Sequence, residues 1–300
     1  MSKTAVRPAQ DAPVRLKKRS YWGEIWHRLK KNPVAVVCLI FLLVVVLSAI
    51  LAPWITPYDY DKVSLRDRFA LPSAQHIMGC DEQGRDLLSR LLMGGRYSLM
   101  VAVISVAMGI VAGMVIGALC GFFGKTVDNV LMRFMDIIMA IPGMMLAICI
   151  SVSLGSGVWQ TALAIAVGTI PIIARQLRGA TLLVNSQEYI EAARTFGESS
   201  TKIILTHVIP NCLAPIIVQT SLYLGGSIMA IAGLSFIGLG VQPPTPEWGN
   251  ILNNGLDYIS DLATRWHVIV FPALFIILTM LAFNLLGDGL RDAMDPRMRK

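Results

Sequence analysis

Charged side chains are scarce in this sequence. Asp, Glu, Lys and Arg make up 15% of its 300 residues, against about 25% in an average soluble domain. Apolar residues make up 55%, and the mean hydropathy is +0.62. The chain therefore has too few polar side chains to cover a water-facing globule of its size. Composition excludes a disordered chain and an ordinary soluble domain, and it favours a membrane protein.

The residue patterns of common catalytic and metal sites are also missing. The four histidines stand far apart, and there is no His-Glu-x-x-His or Cys-x-x-Cys sequence. Packing in apolar runs explains the five cysteines better than a disulfide framework does. Gly124-Lys125-Thr126 ends like a phosphate-binding loop, but the glycine required five positions before Gly124 is Leu119. We predict no catalytic residue, no metal or cofactor site and no ATP hydrolysis in this chain.

Long stretches without Asp, Glu, Lys or Arg predict membrane-spanning helices. A bilayer core of about 30 Å needs about 20 apolar residues in a helix. Six segments approach or reach that length, with Gly155-Ser156-Gly157 separating the third from the fourth. They lie within Val34–Ile55, Tyr97–Gly124, the two parts of Ile137–Ala174, Pro215–Gly238 and Trp266–Gly287. The predicted fold is an all-α integral membrane protein with six transmembrane helices.

The distribution of basic residues predicts the orientation. The first 33 residues hold nine Lys and Arg against two acidic residues, and the rest of the chain is neutral. With both termini in the cytoplasm, 19 of the 26 basic residues lie inside, as the positive-inside rule requires. We predict a basic tail over 1–33 and a six-helix transmembrane domain over 34–300. External loops then lie at about 56–96 and 241–266, and an internal loop at about 175–210.

Two segments next to the spans have patterns of their own. Four apolar residues ahead of the first span share one face of a helix: Trp22, Ile25, Trp26 and Leu29. This spacing predicts an interfacial helix that lies among the lipid headgroups. After the first span, Asp81, Glu82 and Asp86 lack the alternating spacing of a calcium loop. We interpret them as solvated surface carboxylates, and Trp248 in the later external segment as an interfacial residue.

The predicted spans contain no ionisable Asp, Glu, Lys or Arg. Ion-coupled transporters usually keep such groups inside the membrane, so we expect energy to enter from outside the bilayer. Most neutral polar residues of the spans are predicted to bond neighbouring helices and a minority to line a passage: Ser151, Ser153, Gln160, Gln219, Thr220, Ser221 and Asn284. Four glycines spaced by four predict close helix packing, within the chain or against a second subunit: Gly109, Gly113, Gly117 and Gly121.

The internal segment 175–210 has the pattern helix, break, helix. Good helix formers fill 187–196, and Gly197 suits the left-handed residue that closes a helix. Ser199 or Ser200 can cap the next helix. Pro210 is expected to prevent that helix from continuing into the fifth span.

The first of these two helices carries little side-chain bulk. Ala192 and Ala193 would let it insert into a cleft of a partner. Glu191 and Arg194 are three residues apart and are predicted to pair with each other or with that partner. An ordinary amphipathic connector is the alternative interpretation.

Four motifs in this order resemble one known family. Glu191-Ala192-Ala193, then Gly197 and Ile209-Pro210, resemble the EAA loop of type I ABC importer permeases, although His207 stands where the general pattern has isoleucine. The peptide-importer branch often has His-Ile-Leu-Pro-Asn there, which His207-Val208-Ile209-Pro210-Asn211 resembles. The other three motifs are Gly79–Arg90 (with Cys80 for the usual threonine), Leu234–Gly249, and Phe283–Asp292 followed by Asp295-Pro296. Together they resemble the second permease subunit of the dipeptide/oligopeptide/nickel family, the dipeptide-permease C type.

The resemblance implies a function and a set of partners. It implies a bacterial inner-membrane permease that imports di- or oligopeptides, with glutathione, opines or nickel complexes as alternatives. The implied partners are a homologous sister permease, two cytosolic ATPases and a periplasmic or lipid-anchored binding protein. In the family the EAA loop forms a cytoplasmic coupling helix that docks on the ATPase, which assigns the coupling role to Glu191, Ala192, Ala193, Gly197 and Pro210. A stand-alone channel or secondary carrier is the less favoured alternative, and no residue of the substrate path is predicted.

Overall fold

The computed structural model describes residues 21–294, and this part of the chain contains helices and no β-strand. Asn32 begins the first long helix, because its side chain accepts hydrogen bonds from the N–H groups of Val34 and Ala35. The described part of the chain forms twelve α-helices: α1 (Tyr21–Leu29), α2 (Pro33–Ile55), α3 (Leu87–Phe123), α4 (Lys125–Met139), α5 (Gly143–Leu154), α6 (Val158–Asn185), α7 (Glu188–Thr195), α8 (Ser200–Ile203), α9 (Ile209–Phe236), α10 (Trp248–Leu256), α11 (Leu262–Arg265) and α12 (His267–Met294).

Within residues 21–294, five continuous helical segments are long and apolar enough to cross a membrane. They are α2, α3, α6, the segment Ser200–Phe236 and α12. The third predicted span differs, because α4 and α5 meet at an angle of 88° across a three-residue break. Pro142 precedes α5, and the 12 residues of α5 reach only about 18 Å. The predicted count of six holds only if this bent pair is one crossing.

The fifth span corrects a prediction about Pro210. This proline does not separate two helices, since the helical path runs without interruption from Ser200 to Phe236. A π-helical turn over Ile204–Val208 precedes it and shifts the hydrogen-bond register. Pro210 then falls in the first turn of α9, where the missing N–H group of a proline is tolerated.

The glycine face of α3 packs against α6 within the chain. A Cβ atom at any of its four glycines would overlap α6, for instance Ile173 at the position of Gly113 and Thr181 at the position of Gly121. The absence of side chains therefore lets the two backbones approach closely. This confirms the predicted close packing and decides between the two partners considered, since α6 of the same chain occupies the face.

Contacts between distant segments define two ends of the helix bundle. At one end, which we call the α10 end, the imidazole of His267 donates from Nε2 to the carbonyl of Cys80 (3.1 Å). The ring of Phe69 packs edge-on against Tyr258 at 4.7 Å. The segments 56–86 and 237–266 therefore lie at the same end of the bundle, and the prediction that both are external stays a prediction.

At the opposite end, the α7 end, α1 packs beside the last turns of α12. Ile25 and Leu29 of the predicted interfacial face are buried against Ala35 and Ala293, and Trp26 remains exposed. Part of that face is therefore used for packing within the protein. The basic residues of 1–20, and Asp295-Pro296 with the basic residues after it, lie outside the described residues.

Asp81 and Asp86 are buried and Glu82 is half-buried, so the interpretation of these three residues as solvated carboxylates is wrong. Asp81 is 3% exposed and accepts from Nε of Arg85 at 2.7 Å; its other cationic neighbour is Nε of Arg90 at 3.3 Å. Asp86 accepts from His76 at 2.9 Å and caps α3 through the N–H of Ser89. Arg90 therefore faces Asp81. Helix α3 begins at Leu87, ten residues before Tyr97, where the predicted second span begins.

Glu247 and Trp248 are both buried at the α10 end of the bundle. Glu247 is 1% exposed and accepts from the hydroxyls of Ser98 (2.8 Å) and Ser235 (2.7 Å). Its oxygens also accept from two N–H groups at the start of α10. Trp248 is buried and donates from its indole N–H to the carbonyl of Leu91 at 2.8 Å. The prediction of an interfacial Trp248 is wrong, because this hydrogen bond and the ring of Phe275 hold it in the core.

Candidate functional site

A short helix, α7, and the turn that closes it form the centre of the segment singled out by sequence. Gly197 has φ +79°, the left-handed conformation expected for it. The N–H of Gly197 donates to the carbonyl of Arg194 (3.0 Å), and the N–H of Glu198 donates to that of Ala193 (3.1 Å). This pair of bonds is the Schellman motif, which satisfies the last carbonyls of a helix. Ser199 then caps α8 through the N–H of Lys202.

One apolar side chain of α7 packs against the helix bundle. Ile190 is fully buried in a cluster formed by the ends of α3, α6 and α9. Phe122 and Leu177 belong to this cluster, and Ala193 packs against it while staying partly exposed. The packing of Ile190 therefore joins α7 to three long helices.

The other side of α7 makes polar contacts with the bundle. They differ from the predicted ion pair between Glu191 and Arg194. Arg194 donates to the amide oxygen of Asn185 at 2.5 Å, and its guanidinium lies 4.9 Å from the centre of the Phe122 ring. Arg194 is thus oriented towards α6 and α3 and away from Glu191. The alternative of a pair between Glu191 and a partner stays a prediction.

The remaining surface of α7 is exposed. Glu191 and Ala192 both face away from the bundle, and Phe196 is 88% exposed directly before the closing glycine. Tyr189 is also exposed. A fully exposed phenylalanine next to small side chains is typical of a surface that another protein covers. Sequence reasoning did not select Phe196, although an aromatic residue in a polar loop was a visible signal.

An ion-pair cluster follows the closing turn. Glu198 accepts from Lys202 at 2.9 Å and lies 3.2 Å from Nε2 of His207. The hydrogen bond from Lys202, and with it the bond from His207, lowers the pKa of Glu198 below its ordinary value. His207, the departure from the general pattern, thus has a local partner. Pro210 lies three residues further on, inside the helical path and apart from α7.

Two family models match separate parts of the chain. Residues 113–300 match the model described as binding-protein-dependent transport system inner membrane component. The chain belongs to this family. Residues 20–72 match the N-terminal transmembrane domain of oligopeptide transport permease C, which agrees with the resemblance found in the motifs.

Full-length relatives extend this result. The chain is 42% identical over 282 residues to the glutathione transport system permease protein GsiD of Pectobacterium atrosepticum, covering 94% of this chain and 93% of that protein. It is 43% identical to the GsiD proteins of Escherichia coli O6:K15:H31 and Shigella boydii serotype 4, covering 94% of this chain and 92% of each.

A solved structure has a similar fold. A chain of the MetNI methionine ABC transporter, in an inward-facing conformation, aligns with a TM-score of 0.50 and 20% identity. The alignment covers 68% of this chain and 97% of that one. This likeness shows the fold. The family and the full-length relatives show that the protein is a multi-pass inner-membrane permease subunit of an ABC importer. Membership of this family implies ATPase and substrate-binding partners.

Proposed function

We propose that this permease carries short peptides across the bacterial inner membrane, with glutathione, itself a tripeptide, as the foremost candidate. The observation that carries the proposal is the similarity over 94% of the chain to permeases named for glutathione transport. The match to the oligopeptide permease C domain supports the wider class of di- and oligopeptides.

The proposed topology has both termini in the cytoplasm and α7 on the cytoplasmic face. The positive-inside distribution supports it, since 19 of 26 basic residues then lie inside. The helix bundle agrees, because α1 and the end of α12 share the end opposite the α10 loops. A binding protein would deliver the solute at the α10 end.

In the proposed mechanism, a partner ATPase grips α7. Glu191, Ala192 and Phe196 form the exposed contact surface, and Ala193 connects it to the buried cluster around Ile190. Gly197 closes the helix, and Pro210 lies in the helical path that leads into the fifth span. ATP-driven closure of the two ATPases would move α7 and turn the cavity between this chain and a sister permease outward. Such rocking around a fixed site is the usual form of alternating access.

An uptake assay in the host bacterium tests the solute class. We expect deletion of this chain to abolish uptake of labelled glutathione or of a labelled dipeptide, and re-expression to restore it. Unchanged peptide uptake, with loss of opine or nickel uptake, would contradict the peptide assignment. Uptake that persists after deletion of the partner ATPases would favour a stand-alone channel or carrier.

A further inference from the structure

His207 lies in the π-helical turn Ile204–Val208, near the start of the fifth span. The helical segment that contains it, Ser200–Phe236, has 37 residues and is therefore about 55 Å long. Because the hydrocarbon core of a bilayer is about 30 Å thick, the end turns of this segment extend beyond it. π-Helical turns are rare and are found frequently at functional sites. The turn that carries His207 lies next to α7, the proposed coupling element.

The imidazole of His207 contacts the α7 segment at both of its ends. Nε2 of His207 lies 3.2 Å from Oε2 of Glu198, in the turn that closes α7. An ionised carboxylate only accepts hydrogen bonds, so the imidazole nitrogen donates. The centre of the imidazole ring lies 6.4 Å from that of Tyr189, in the first turn of α7, within the distance at which aromatic rings contact each other. His207 therefore joins both ends of α7 to the start of the fifth span.

The backbone around His207 is held by hydrogen bonds on both sides. The N–H of Ile209 donates to the carbonyl of Ile204, five residues earlier, as a π-helical turn requires. Pro210 has no N–H group to donate. The side-chain amide of Asn211 donates to the carbonyl of His207 at 2.6 Å. The imidazole therefore projects from a backbone whose own polar groups are bonded.

The buried side of the same segment packs against α7 through apolar residues. Ile203, Ile204 and Val208 belong to the cluster that contains Ile190 of α7. Apolar contact has no preferred direction, so it permits small rotations of α7. A hydrogen bond has a preferred distance and angle. The contact between His207 and Glu198 therefore restricts the orientation of α7 in a way that the apolar cluster does not.

We infer that His207 is a positioning residue, which fixes the orientation of α7 on the start of the fifth span through Glu198 and Tyr189. With this contact in place, a displacement of α7 by a partner ATPase also displaces the start of that span. Without it, α7 rotates on its apolar contacts and less of the displacement reaches the span. The inference rests on the proposed coupling role of α7 and adds a residue on which that coupling depends.

Uptake and ATP hydrolysis, measured together on the complete importer in liposomes, test the inference. His207→Phe keeps an aromatic ring beside Tyr189 and removes the nitrogen that donates to Glu198. We expect the solute transported per ATP hydrolysed to fall about three- to tenfold, with ATP hydrolysis within about twofold of wild type. His207→Gln keeps a nitrogen donor and should recover most of the ratio. The matched control is Lys202→Gln, which breaks the exposed pair of the same carboxylate (2.9 Å) and should leave the ratio unchanged.

A double-mutant cycle tests whether the two side chains act as one contact. Glu198→Ala should lower the ratio as much as His207→Phe does, and the double variant should be no lower than either single variant. An unchanged ratio in His207→Phe, no recovery in His207→Gln, or losses that multiply in the double variant would each overturn the inference. A lower Tm, with uptake and ATP hydrolysis lost in parallel, would assign His207 to folding alone and would overturn it as well.

The Gly197→Val variant separates this inference from the proposed function. Normal uptake in Gly197→Val would mean that α7 is not the coupling element, and the proposed mechanism would fail. Abolished uptake in Gly197→Val, together with an unchanged ratio in His207→Phe, would refute the role of His207 alone. If the wild-type importer carries no peptide, the solute assignment fails, and the ratio is measured with the solute that is carried.

Discussion

At the scale of single residues, Gly197 and Glu247 each satisfy groups at the end of a helix. Gly197 does so through its left-handed backbone at the end of α7, and Glu247 through its carboxylate at the start of α10. The role of Gly197 could be predicted because it depends on neighbours within four residues. The burial of this loop around Asp81 could not, because Asn254 and His267, more than 170 positions away, contact its neighbours Glu82 and Cys80.

Gly197→Val should uncouple transport while leaving the protein in the membrane. A Cβ atom meets no neighbour there, so the effect comes from the positive φ, which costs a side-chain-bearing residue about 1–2 kcal/mol. We expect peptide uptake at background and normal protein level, measured by uptake and immunoblot. The control is Gly23→Val in α1, where space is also open but φ is ordinary. Normal uptake in the Gly197 variant would show that α7 is not the coupling element.

The thiol of Cys80 should be unreactive in the folded protein. Burial, reinforced by the negative charges of Asp86, Asp67 and Asp81, raises its pKa to about 12. A raised pKa keeps the thiol protonated up to that pH, so at pH 8 only about one molecule in ten thousand carries the reactive thiolate. Iodoacetamide at pH 8 should modify Cys80 after unfolding in detergent and leave it intact before, as mass spectrometry of the peptide would reveal. Rapid modification of the native protein would contradict the buried position of this loop.

Glu247→Ala should destabilise the α10 end. It would leave two backbone N–H groups and two serine hydroxyls without their acceptor, at a cost of about 2–4 kcal/mol. We expect a lower Tm of the solubilised importer, followed by tryptophan fluorescence. Asp257→Asn at the exposed end of the same helix is the control and should leave Tm unchanged. Equal Tm values for the two variants would argue against a structural role for the buried carboxylate.

At the scale of helices, hydropathy located the spans, but it did not locate their ends. α3 extends to Leu87 because Asp86 caps it, and the cap follows from local chemistry that a search for uncharged stretches passes over. The position of α4 depends on distant partners instead. Arg178 forms an ion pair with both carboxylate oxygens of Asp128, and Arg175 pairs with Asp136 at 2.6 Å. These pairs hold α4 along α6, and no periodicity within α4 could reveal partners about 40 to 50 residues away.

The packing of α3 against α6 gives a prediction at this scale. Gly117→Leu would place a side chain against the carbonyl of Ala174 and the Cβ of Leu177. We expect the helices to separate at a cost of at least about 1–3 kcal/mol, with less protein in the membrane on immunoblots. Val115→Leu, on the exposed side of the same helix, is the control. A normal level of the Gly117 variant would indicate that the two helices are not in close contact.

At the scale of the whole molecule, composition and charge alone predicted a membrane protein. The lack of ionisable residues in its spans predicted that the energy for its work enters from outside the bilayer. The family match agrees with this, since it identifies one component of a transport system that works with a binding protein. The packing of individual polar residues could not be assigned from the sequence, because Gln219 and Ser221 are two residues apart and both are polar. The packed helices separate them, since Ser221 is buried against Gly287 of α12 and Gln219 is half-buried.

ATP-dependent uptake by the purified importer in liposomes is the measurement that tests the account most directly. The complete assembly should accumulate labelled glutathione or dipeptide only while its partner ATPases hydrolyse ATP. This chain reconstituted alone should neither hydrolyse ATP nor admit the solute. Nucleotide turnover by the isolated chain, or solute flux through it driven by a gradient, would contradict the central claim. That claim is that the permease has no energy source of its own and is moved by partner ATPases that bind α7.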